Sequence, residues 1–168
     1  MGEVNIRRQC IIAWELPTEL MLDGEKAGQP FLVSRFYTAS LHEKANLRKD
    51  LEQWRTRAFT KEELNGFEAK NILGKSCMVS LGTDDKGKVR VSGIMSVPKG
   101  MTVPVQVNPT IYFSLERSEF DPKVFESLSD GYKKLIRVSP EYQELHNPSR
   151  QPATVTKALA EMDDDIPF

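Results

Sequence analysis

The strongest helical period in this chain lies in HEKANLRKDLEQWR, His42 to Arg55, and a pair of strand-like runs stands on either side of it. Leu47, Leu51 and Trp54 fall at i, i+4 and i+7 and so share one helix face. Ahead of the helix, CIIAWEL (Cys10 to Leu16) alternates, with Cys10, Ile12, Trp14 and Leu16 on one side. FLVSRFYTASL (Phe31 to Leu41) reads as a second strand, and neither of its faces is purely polar, which predicts cover or binding on both. Asp23-Gly24 and Ala27-Gly28 mark turns between the two. Behind the helix, CMVSLG (Cys77 to Gly82) and KVRVSGIMSV (Lys88 to Val97) read as a hairpin around TDDKG, in which Gly87 takes positive φ. Val89, Val91, Met95 and Val97 share a face there, and Gly93 interrupts it, which predicts a bulge. Thr60-Lys-Glu-Glu63 is a capping-box pattern and predicts a short second helix that buries Leu64 and Phe67.

The order strand, strand, helix, strand, strand is that of a five-stranded oligonucleotide-binding barrel without its first strand. MGEVNIRR offers a short piece ahead of Cys10 but no obvious full strand. The expected fold is therefore mainly β: an OB-fold-like barrel over residues 1–100, with a helix between strands and the first strand lacking. Residues 101–146 form a small C-terminal extension. In it IYFSL is extended, and PKVFESLSDGYKKLI is helical in two short parts that end at Pro140. Phe125, Leu128, Tyr132, Leu135 and Ile136 supply its apolar contacts. Residues 147–161 are polar and proline-containing and read as a flexible linker. Residues 162–168, MDDDIPF, are displayed rather than folded. A buried carboxylate needs a partner, and Pro167 keeps Phe168 out of a helix.

Charge and composition narrow the function. Residues 151–168 carry one Lys and four acids, a local charge of -3; taken from the net charge of -1, this leaves +2 on residues 1–150. A body so mildly basic implies that a nucleic-acid site is a local cluster, not a whole basic surface. No stretch approaches 18 consecutive apolar residues, so no membrane span is expected. MGEVNIRRQC shows no apolar stretch behind a basic one, so no targeting segment is expected there. Cys10 and Cys77 sit in apolar runs and read as buried free thiols, which points to the cytoplasm. His42 and His146 have no Cys or carboxylate at ligand spacing, and no P-loop or Cys-x-x-Cys occurs. The chain is read as non-enzymatic, with no cofactor and no metal.

The end DDDIPF, Asp163 to Phe168, is the same as the end of bacterial single-stranded DNA-binding protein. The resemblance implies that Phe168, Pro167 and Ile166 anchor in an apolar pocket of host replication and repair proteins, while Asp163, Asp164 and Asp165 steer toward a basic rim. A terminal aromatic with a free carboxylate joined to further acids suits that role. The body resembles bacteriophage-encoded single-stranded DNA-binding proteins with an oligonucleotide-binding fold. That likeness covers roughly residues 6–100. It rests on RFYTASLHEKANLRKDLEQWRTRAFTKEEL (Arg35 to Leu64), NILGKSCMV (Asn71 to Val79) and IMSVPKG (Ile94 to Gly100). Members of that family carry a further segment ahead of CIIAWEL that supplies the first barrel strand, and this chain lacks it.

Sequence-neutral binding of single strands needs rings to stack on bases and cations near phosphates. Arg35, Phe36 and Tyr37 offer both, and adjacent strand residues point to opposite faces, so one ring faces the core and the other the groove or the helix; the reading that puts Phe36 in the core and Tyr37 in the groove is favoured over its reverse. Trp14 and Trp54 lie on apolar stripes and read as core. Arg55 and Arg57 follow the helix as phosphate candidates, with ordinary surface charges as the alternative. Lys88 and Arg90 share a hairpin face that Val89 and Val91 avoid, and Lys99 follows them. The expectation is single-stranded DNA binding without strong sequence preference, in phage replication, recombination or repair, with host enzymes recruited by the tail. Two alternatives stand beside it: a tail-mimicking adaptor or inhibitor without DNA binding, and an accessory subunit of a recombination or nuclease complex. A homo-oligomer is expected if a neighbour fills the open barrel edge.

Overall fold

The computed structural model describes residues 7–147. They divide into two compact units, which part between Thr110 and Ile111. In the first unit, β1 (Gln9–Leu20) and β2 (Pro30–Thr38) form an antiparallel pair. Its register runs from Gln9 opposite Thr38 to Leu16 opposite Phe31, then slips before Leu20 meets Pro30. Pro17 lies in the slipped stretch, where a residue without an N–H cannot serve the ladder. Trp14 and Val33 face each other across the pair, as do Cys10 and Tyr37, and all four turn to the core.

Helix α1 (Asn46–Arg55) packs on β2 and on the second hairpin through Leu47 and Leu51, both buried. Trp54 completes the face, half-buried, with its ring 6.3 Å from that of Trp14. Thr56 then closes the helix in the left-handed region at φ 57. The short α2 (Lys61–Asn65) has the expected capping box: the Thr60 hydroxyl accepts from Glu63 N–H, and the Glu63 carboxylate accepts from Thr60 N–H. A 3-10 turn, Ala69–Ile72, leads to β3 (Met78–Thr83) and β4 (Val89–Met95). The hairpin loop is built on Asp84. One of its oxygens accepts from the Lys86 and Lys88 N–H groups, and Gly87 stands at φ 78.

The barrel is not formed. The four strands make two separate two-stranded antiparallel sheets, each strand with a single partner. Closure would need hydrogen bonding along both edges of every strand. Here β2 and β4 lie near each other without a ladder between them, share the core through Val33, Tyr37, Val91 and Ile94, and both pack against α1. The OB-fold-like expectation is therefore overturned, although the order of its parts and the core face of α1 are as read from the sequence. A second correction concerns β4. Gly93 pairs with Ser80 and Val91 with Leu81, so Ser92 is an extra residue and the sheet bulges there. The bulge was expected, but its consequence reverses the alternation beyond it: Ile94 is buried and Met95 is exposed, while Val89, ahead of the bulge at the strand's start, is exposed as well.

The second unit holds α3 (Pro122–Ser127), α4 (Asp130–Arg137) and α5 (Pro140–His146) around Phe125. The rings of Phe113, Phe120, Tyr142 and His146 gather with it. Pro140 does not end this unit; it opens α5 as its first residue, where a missing N–H costs nothing, with Ser139 as the cap. Residues Ile111 to Leu115 join neither sheet. Among the described residues no helix is long and apolar enough to cross a membrane.

Candidate nucleic-acid interface

Where α1 ends at Arg55, the chain turns through Thr56 into Arg57-Ala58-Phe59, and a cleft of about 610 Å³ lies beside this turn. Leu51, Trp54, Phe59, Phe67 and Ile72 form its apolar lining, and Arg55, Arg57, Lys75 and Glu63 its charged lining. The rings are fixed. The Trp54 indole N–H donates to the Ser76 carbonyl at 2.8 Å, and Phe67 meets Phe59 edge-on at 5.6 Å. The Arg55 guanidinium lies 4.4 Å from the centre of the Phe59 ring, a cation–π contact. Glu63 bridges the two arginines: one of its oxygens takes Arg55 at 2.5 Å and Arg57 at 3.0 Å. The Arg55 hydrogen bond, followed by that from the Thr60 backbone, holds the Glu63 carboxyl below its ordinary pKa. The cleft thus sets cations beside aromatic surface, the two elements that sequence-tolerant binding of a single strand requires.

The other residues expected to hold DNA lie elsewhere. Tyr37 is 3 % exposed and its hydroxyl donates to Asp50 at 2.7 Å, so it is a core residue and cannot stack on a base. The placing of Tyr37 in the groove is overturned, because the face of β2 that carries Val33 and Tyr37 is the one turned inward; Phe36, on the other face, is half-buried. Arg35 shares that inward face and is held by Asp50 at 2.9 Å. Lys88 and Arg90 belong to the β3–β4 hairpin, and Arg90 is engaged by Asp84 at 2.9 Å. Lys99 is exposed at the turn from Pro98 to Met101. Of the seven residues, only Arg55 and Arg57 line the cleft. Asp163, Asp164, Asp165, Ile166, Pro167 and Phe168 lie outside the described residues.

Three cleft residues were missed. Lys75 lies in NILGKSCMV, where the chain must return from α2 to β3, and no local pattern marks it as a binding residue. Trp54 was read as core, and it is core on one side while its other side lines the cleft. Glu63 was read as a capping residue alone. Both cysteines are free and half-buried. Burial pushes the Cys77 thiol up to about 11, an effect that the neighbouring Trp14 indole only partly offsets. Among the described residues no group of three or more His, Cys, Asp or Glu is placed to hold a metal ion. No protein-family model, no curated protein and no solved structure matches this chain.

Proposed function

We propose that this protein binds single-stranded DNA, without strong sequence preference, through the cleft between α1 and the segment from Phe59 to Ser76. The observation that carries the reading is the placement of Arg55, Arg57 and Lys75 around the part-exposed rings of Trp54 and Phe67 in one groove. Bases stack on such rings whatever their identity, and the cations neutralise phosphates. The role proposed is in phage DNA replication or recombination. Host enzymes would be recruited by Asp163 to Phe168, whose likeness to the bacterial tail supports that part. A fluorescein-labelled oligo-dT titration tests the reading. Binding should weaken as salt rises, exceed that of a duplex of equal length, and fall for Arg57→Ala and Lys75→Ala. Equal affinity for duplex and single strand would overturn it.

A second reading has its own support. Arg35, Arg55, Arg57 and Arg90 each meet a carboxylate of this chain, which reduces the positive potential open to DNA. A chain that holds its own cations in this way fits an adaptor that presents the tail without binding DNA. Absence of oligo-dT binding together with tail-dependent capture of a host replication protein would favour that reading.

A further inference from the structure

Glu63 does two separable things with its two oxygens. One accepts from the Thr60 N–H at 3.0 Å and completes the capping box of α2. The other is not needed for the cap, and both guanidiniums of the cleft converge on it. Two arginines sharing a single anionic oxygen is an arrangement that suits a phosphate at least as well as a carboxylate, because a phosphate offers more oxygens and the guanidinium fork matches it. Arg55 is steadied from its other side by the Phe59 ring, while the Arg57 side chain is 65 % exposed and accessible to a new partner. The Arg57–Glu63 pair, exposed on its arginine side, is the weaker of the two and the one that opens first, while the Arg55–Glu63 pair is part-buried.

We infer that Glu63 occupies the seat of one nucleic-acid phosphate between Arg55 and Arg57, so that DNA enters the cleft by exchanging its phosphate for this carboxylate. This rests on the reading of the cleft as the DNA site. Glu63 is then an internal competitor that sets affinity. It holds the two cations in register when DNA is absent and gives them up when a strand arrives. Sequence neutrality follows, since the exchange involves backbone charge alone.

The test is Glu63→Gln in the full chain, compared with wild type and with Glu62→Gln. The Gln carbonyl preserves the capping box, so the helix start survives the change. Glu62 is exposed on the same helix and gives the same change of net charge without touching either arginine. Labelled oligo-dT is titrated at several salt concentrations. Glu63→Gln should bind roughly three- to tenfold more tightly at low salt, as two competing ion pairs are lost. Its log–log salt slope should steepen, because in wild type salt also weakens the competing carboxylate pairs and so partly offsets the loss of phosphate binding. Glu62→Gln should change affinity by less than about twofold, as expected for a distant surface charge screened by salt. Binding by Glu63→Gln but not by wild type would support the exchange, with the carboxylate then masking the site fully. If wild type binds and Glu63→Gln is indistinguishable from Glu62→Gln, the exchange is wrong and the DNA reading stands. If neither wild type nor Glu63→Gln binds, both are wrong.

Discussion

Arg35 lies on the inward face of β2, opposite Ile12, with the buried residues Val33 and Tyr37 two positions away on either side. A charge can occupy that face only because α1 presents Asp50, which accepts from Arg35 at 2.9 Å and from the Tyr37 hydroxyl at 2.7 Å. Burial first, and then the Asp50 hydrogen bond, push the Tyr37 phenol far above its ordinary pKa, so it stays a neutral donor. Asp50→Ala should cost about 2–3 kcal/mol in urea denaturation, below the 3–5 of a fully buried pair because the Arg35 side chain remains 28 % exposed. Tyr37→Phe should cost about 1 kcal/mol and leave oligo-dT affinity unchanged; a large loss of DNA binding would return Tyr37 to the interface. Asp84 gives a pH-dependent counterpart. Hydrogen bonding from the Lys88 N–H, then from Arg90, lowers its carboxyl pKa in the fold. Its contribution is therefore present above the ordinary aspartate pKa of about 3.9 and is lost as pH falls through the lower folded value. Asp84→Asn should flatten the acid limb of the stability–pH curve, followed by thermal melts between neutral pH and strong acid.

At the scale of elements, α1 joins β2 to the second hairpin, and its buried face is short. Leu51 is 4 % exposed, and Leu51→Ala should cost roughly 2–5 kcal/mol of unfolding free energy; a change of a few tenths would mean that the helix is not the element holding the sheets together. The end of α1 stores some strain. Thr56 at φ 57 is the one described residue other than glycine with positive φ, and a β-branched side chain is poorly suited to it. Thr56→Gly should raise the melting temperature, by an amount corresponding to about 0.5–1 kcal/mol, offset in part by the greater freedom of the unfolded chain. A fall would show that the Thr56 hydroxyl bond to the Arg55 carbonyl outweighs the strain. In β4 one extra residue, Ser92, decides which side chains are buried beyond it. The Gly93 interruption marks the bulge in the sequence, but not which residue is extra, because either strand can supply it.

At the scale of the whole molecule, the chain combines a unit that carries the cleft, a three-helix unit built on aromatic rings, and the acidic Asp163–Phe168 segment. If the proposed division of labour holds, these parts separate experimentally. Deleting Asp163 to Phe168 should abolish capture of host replication proteins in calorimetry and leave oligo-dT binding intact or tighter, since three carboxylates are removed. Phe168→Ala alone should account for most of the loss, because it removes the ring that anchors in the partner's pocket. Equal partner affinity for intact and shortened chains would leave the segment without a recruiting role.

Local pattern determined much of this protein. Alternation marked β1 and its core face, the 3.6 period marked α1, and the Thr60–Glu63 spacing marked the cap of α2. These features depend on neighbours a few residues apart, so the sequence carries them directly. Barrel closure does not, because it depends on which strand edges meet, and side-chain contact between β2 and β4 has no signature in either strand. The fate of the cations was equally hidden. Arg35, Arg55 and Arg90 look alike as letters, yet Asp50 draws one into the core, Glu63 holds one at the cleft, and Asp84 ties one to a hairpin. An arginine's availability depends on the carboxylate that reaches it, and only the tertiary structure decides that.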